Sequence, residues 1–120
     1  MSTPGWILGA AFANSEQASS DAAYSGEDGG HNGDADAIRH TSWNIRMERS
    51  VGAANAQVIG DAHERSGGNP IGERTMDLMN NHNGRVLSQI FPNASPATLA
   101  KAALNAGLLQ SRPVVVVPRR

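Results

Sequence analysis

Residues 34–50 read DADAIRHTSWNIRMERS, and the architecture follows from how this stretch is spaced. Asp36, His40, Trp43, Asn44 and Met47 recur at the three- and four-residue spacing of one helix face. Ala37, Ile38 and Ile45 add apolar positions beside it. Asp34 or Asp36 suits the N-cap or first turn, where a carboxylate meets unpaired backbone N–H groups. The stretch predicts a helix over 35–50, with Gly52 marking a bend.

The helical pattern repeats downstream. Val51, Ala54, Val58, Ile59 and Ala62 predict the apolar face of a second helix over 52–66, stopped by Ser66-Gly67-Gly68-Asn69-Pro70. Met76, Leu78, Met79, Val86, Leu87, Ile90 and Phe91 supply the apolar surface of a third, from Ile71 or Gly72 to Phe91. A fourth starts at Ser95-Pro96 and ends at Gly107. Residues 14–35, rich in Ser, Gly, Asp and Asn, read as irregular. Val114 to Val117 is a β-prone run, either a short strand or an extended strap. The expected fold is mostly α, a compact single domain of about four helices. Residues 1–33 form an irregular N-terminal segment, 34–110 a helical body carrying the site, and 111–120 a short extended tail.

Composition narrows the chemistry. A chain of 120 residues holds one domain with a modest core, and with 4% aromatics that core is built from Ala, Leu, Ile, Val and Met. The absence of cysteine excludes a disulfide framework, a thiolate zinc site and a cysteine nucleophile. Formal net charge is −1, but residues 1–38 carry six acids and no Lys or Arg, whereas 39–120 carry ten basic and five acidic residues. A duplex-binding protein carries a basic surplus, so nucleic acid is disfavoured as a partner. Nine of the ten basic residues are Arg, which suits a local anion site. No apolar run is long enough to span a membrane. Trp6 to Ala13 (WILGAAFA) has the look of a signal-peptide core, but the first basic residue is Arg39. The stretch is read instead as a segment that packs on the domain body or joins it to something larger.

Three polar groups interrupt the helical region. Asp36 and His40 share a face, and such a carboxylate fixes an imidazole tautomer and raises its basicity. Arg39 points about 100° round the helix. Asp61, His63 and Glu64 cluster near the end of the second helix. Asp77, Asn80 or Asn81, and Gly84 line one side of the third, near Arg85. Gly84 inside a helix costs roughly 1 kcal/mol relative to Ala, and Asn competes for the backbone. These choices imply close approach of another element, or a ligand.

Each group also has a plain structural reading: His40 packed beside Trp43 on a capped helix, a broken third helix turning at Asn83-Gly84, and His31 and His82 as exposed loop histidines. Together, His40, His63, Glu64 and Asp77 are expected to converge. They would hold a divalent metal (Mg, Ca or Zn) that activates water, or form a metal-free pair with one His as general base. Arg39 would stabilise an anionic transition state. Asp36, Trp43, Asn80, Asn81 and Arg85 would contact substrate.

The run 34–64, followed by 73–85, resembles the C-terminal toxin domains of bacterial polymorphic and contact- or secretion-system-delivered effectors. The pattern is an Asp-Ala-x-Arg-His opening, then a Trp, a His-Glu pair and a Met-Asp-Leu-x-Asn-Asn-x-x-Gly stretch. Asp36, Ala37, Arg39, His40, Trp43, His63, Glu64, Met76, Asp77, Leu78, Asn80, Asn81 and Gly84 match it. The resemblance implies an antibacterial hydrolase, secreted or delivered into a target bacterial cell and paired with a cognate immunity protein. More loosely, Ala37-Ile38-Arg39-His40 on a helix facing a carboxylate is similar to the catalytic helix of small prokaryotic phospholipases A2. The calcium-binding Asp that follows the His in those enzymes is Thr41 here. The leading expectation is a toxin hydrolase acting in the periplasm rather than the cytosol, on an envelope phosphoester or lipid-linked substrate. The alternatives are a metal-dependent nuclease, a phospholipase A2-like lipase and a non-enzymatic helical interaction module.

Overall fold

In the structure, a computed structural model describing residues 3–29 and 32–113, the quoted stretch becomes helix α2 (Asp34–Val51) if helices are numbered along the chain. Twelve of its 18 residues are buried, on every side rather than along one stripe. That distribution marks a helix surrounded by others. Helices α1 (Gly5–Ala23), α3 (Ala53–Ser66), α4 (Ile71–Ile90) and α5 (Pro96–Asn105) all pack against it. No strand occurs among the described residues.

Gly52, at φ +87°, breaks the chain between α2 and α3 in a conformation that glycine adopts without steric cost. The α3 helix then runs back along α2, bringing Glu64 to His40 and Gly60 to Asn44. After the 67–70 loop, α4 runs parallel to α2: Asp77 meets His40, Arg85 meets Asn44, and Ser88 meets Arg49. The N-cap of α2 is Gly33, and Asp34 and Asp36 are first-turn acids.

The reading of 1–33 as an irregular segment is corrected for Gly5–Ala23, which form α1. Its Ser, Asn and Asp content concealed Ile7, Ala11, Ala18 and Ala22, which are buried on one side of a helix rich in alanine. Two anchors hold it to α2. The Asp21 carboxylate accepts from Arg46 Nε at 2.9 Å and Nη2 at 3.0 Å, and also from the Ser42 hydroxyl. The Trp43 indole N–H donates to the Ala11 carbonyl at 3.0 Å. The segment packs on the domain body, as expected. His31 and Val114–Val117 lie outside the described residues.

The inward faces of α3 and α4 also differ from expectation. Ala56, Gly60 and Glu64 point inward from α3, while Ala54, Val58 and Ala62 are exposed. From α4, Met76, Asp77, Asn80, Asn81, Gly84, Arg85 and Ser88 are buried, while Met79, Val86, Ile90 and Phe91 are exposed. The reason lies in α2, whose facing stripe is polar. Buried polar groups need partners, so its neighbours turn polar and small side chains toward it. Gly84 serves close approach. A Cβ there would lie 2.4 Å from the Thr41 carbonyl oxygen.

Candidate functional site

The site grows from Asp36, His40 and Asn44, one helical turn apart on α2. His40 presents Nε2 to Asp36 Oδ1 at 3.5 Å and to Asp77 Oδ1 at 3.3 Å, and Nδ1 to Glu64 Oε1 at 3.4 Å. Three helices thus bring three carboxylates to one imidazole, and all four residues are buried. His40 Nδ1 and Asp77 Oδ1 nevertheless make no aligned hydrogen bond. The imidazole and carboxylates stand 3.3–3.5 Å apart, and a buried oxygen without a donor is costly unless something else meets it. Asp36, His40 and Asp77 each offer one ligand atom within 4.8 Å of the others.

Arg39 lies over this centre. It donates to Asp36 Oδ1 from Nε at 3.1 Å and Nη2 at 2.5 Å, and Nη2 stands 3.3 Å from His40 Nε2. Its side chain is 38% exposed, so it spans the closed centre and the solvent. The other oxygen of Asp36 accepts the Asn32 backbone N–H at 2.9 Å.

Burial pushes the Asp36 carboxyl up, but the hydrogen bond and charge of His40, the Asn32 amide and Arg39 outweigh it and hold the group well below the usual carboxylate range. His40 is lowered by burial and raised more by Asp36 and Asp77, so its net shift is upward. Asp77 is pushed up to about 6, by burial first and then, against the pull of His40, by the negative charges of Glu64 and Asp36. His63 is lowered, by burial and then by the positive charges of His40 and Arg39.

A second layer fixes these groups. Asn81 Nδ2 reaches Glu64 Oε1 at 3.4 Å. Asn44 donates to the His40 carbonyl at 3.1 Å and accepts from the buried Arg85 guanidinium at 2.8 Å. Above Arg39 opens a pocket of about 260 Å³ lined by Ala11, Phe12, Ser15, Arg39, Trp43 and His63. A larger cavity of about 470 Å³, against Asp21, Tyr24 and Lys101, shares no residue with the centre.

Of the residues expected to converge, His40, Glu64 and Asp77 do so. His63 does not join them. It is exposed at the pocket rim, with its ring edge-on to Trp43 at 5.2 Å and 74°. The site divides in two: a closed acid–imidazole centre and an open pocket, with Arg39 between them. Arg39, about 100° round the helix from His40, still reaches the centre through Asp36. Trp43 walls the pocket, Asp36 belongs to the centre, and Asn81 props Glu64. Asn80 and Arg85 leave the substrate-binding set. Asn80 clamps the backbone of Gln110, donating at 2.7 Å and accepting at 2.8 Å, and Arg85 is buried against Asn44. His82 is exposed, on α4 rather than in a loop.

Sequence reasoning missed Asn44 as the residue that ties the His40 backbone to Arg85, and Phe12 and Ser15 as pocket wall. The signal for Asn44 was its four-residue step from His40. Phe12 and Ser15 gave none, because their contacts lie far away in the chain. One protein-family model, described as a domain of unknown function, matches residues 2–111. No solved structure matches the chain.

Proposed function

The chain belongs to the DUF6973 family, and because that description assigns no activity, we propose one from the site itself: a hydrolase that cleaves an anionic phosphoester of a lipid or lipid-linked envelope substrate, delivered as an antibacterial effector. The observation that carries it is His40 caged by three carboxylates beneath Arg39, with an open pocket above. Arg39 and His63 supply positive or hydrogen-bonding groups to a phosphate. Phe12, 68% exposed, and Trp43 supply an apolar wall for a lipid chain. Arg39 swings from Asp36 to the phosphate, opening a path to the centre. A water held there adds to phosphorus and its proton passes to the acid–imidazole centre. The P–O bond to the lipid then breaks and the departing oxygen is protonated. Arg39 offsets the charge that builds on the phosphoryl oxygens. The delivered setting rests on the likeness of 34–64 and 73–85 to effector toxin domains. A cognate immunity protein would act by covering the pocket mouth.

A second reading has one observation of its own. The His40 and Asp77 pair joins α2 to α4 at 3.3 Å, the His–carboxylate pairing of a phospholipase A2-like lipase. Expression in bacteria, directed to the periplasm or the cytosol, tests both. Growth arrest is expected with periplasmic export. Extracted lipids should show phosphoester products; free fatty acid would transfer the assignment to the lipase. Cytosolic toxicity with nicked plasmid or degraded RNA would make the domain a nuclease, and no toxicity in either compartment would end the effector reading.

A further inference from the structure

The position taken by Arg39 Nη2 is a cation position, and a guanidinium is not the only cation that fits it. We propose that Asp36, His40 and Asp77 form a zinc site, in which the metal displaces Arg39 and becomes the group that activates water. Asp36 Oδ1 and Asp77 Oδ1 stand 3.5 and 3.3 Å from His40 Nε2. Two ligand atoms each about 2.1 Å from a tetrahedral ion stand about 3.4 Å apart, so each carboxylate already stands at zinc spacing from the imidazole, and all three ligand atoms lie within 4.8 Å of one another. The octahedral geometry of magnesium brings neighbouring ligands closer, to about 3.0 Å, and calcium prefers an all-oxygen shell.

Three further observations point the same way. Asp77 Oδ1 is buried, aimed at the centre and without a hydrogen-bond donor. His40 Nδ1 faces Glu64 Oε1 at 3.4 Å, the carboxylate partner that orients a metal-bound imidazole through its other nitrogen. Asp36 and His40 lie one turn apart on a single helix, a spacing that lets both reach one ion. Arg39 is the competitor, bonded to Asp36 in the metal-free form and exposed enough to leave. Glu64 is a positioning residue, acting through His40.

The inference deepens the hydrolase reading and rests on it only for the purpose of the metal. Tag-free protein titrated with zinc against a chromophoric chelator tests it, with circular dichroism as the check on folding. Wild type should bind one equivalent, and Asp77→Asn should lose it. Glu64→Gln should bind about 10–100-fold more weakly. Arg39→Ala should bind more tightly, since the competing cation is gone. His63→Gln should bind as wild type does. Zinc retained by Asp77→Asn, or lost with His63→Gln, would put the metal elsewhere and overturn the site, as would no binding by wild type or Arg39→Ala. If Asp77→Asn fails to fold, wild-type affinity in Glu64→Gln overturns it equally. Zinc binding without toxicity would unseat the hydrolase reading and leave the site. Full lipid hydrolysis by chelator-treated protein would unseat the metal's role and leave the hydrolase.

Discussion

Exchange of His40 for glutamine is expected to lower hydrolysis of an envelope-lipid extract by at least about 100-fold, the lower end of what a positioned proton-transferring group contributes. Among the described residues, His40 is the one that pairs with each of Asp36, Asp77 and Glu64, so its loss disperses the centre however water is activated. Glutamine is of similar length and polar at its end, so it continues to meet buried carboxylates and the helix stays packed. His63→Gln should lose less, because that imidazole lines the pocket without joining the centre. His82→Gln should lose nothing, since that side chain is exposed and lines neither the centre nor the pocket. The assay is product release from the extract at matched protein concentration. A His40→Gln protein as fast as wild type would remove the centre from the chemistry.

The second large effect falls on stability. Gly84→Ala is expected to destabilise the domain by about 3 kcal/mol, at the upper end of overpacking costs, because the new methyl would sit 2.4 Å from the Thr41 carbonyl oxygen and only backbone movement relieves it. That cost overrides the gain of roughly 1 kcal/mol from replacing glycine inside a helix. At about 4 °C per kcal/mol for a chain of this size, the melting temperature should fall by about 12 °C. Gly9, also within a helix, has nothing within 4 Å of the place a methyl would take. Gly9→Ala should therefore raise stability by up to about 1 kcal/mol. Urea denaturation of both proteins, followed by circular dichroism, measures the contrast. Equal effects at the two positions would mean that α2 and α4 do not approach as closely as Gly84 requires.

Four helices and their ends were legible in the sequence because Gly52, the 66–70 stop, Pro92 and Ser95-Pro96 are local punctuation. Helical spacing needs no tertiary contact to be read. Asp36 and His40 were legible as a pair for the same reason, being four residues apart on one helix. The helix over 5–23 was hidden because it is held by contacts made far along the chain, Asp21 to Arg46 and Ala11 to Trp43. The inward faces of α3 and α4 were hidden because hydropathy places apolar residues inside, and here the partner helix is polar.

Local signals along the chain were enough to specify a helical protein and a set of acids, imidazoles and asparagines too unevenly placed to be solvated surface. Backbone propensity and periodicity act within a few residues, so they needed no partner. Which of those side chains meet across helices was left to packing: Glu64 and Asp77 on His40, and His63 outside at the rim. That choice depends on the helix directions set at Gly52 and the 67–70 loop and on the close seat of Gly84 against Thr41. Charge pairing across helices falls off within a few ångströms, so it exists only where the folded chain brings the groups together.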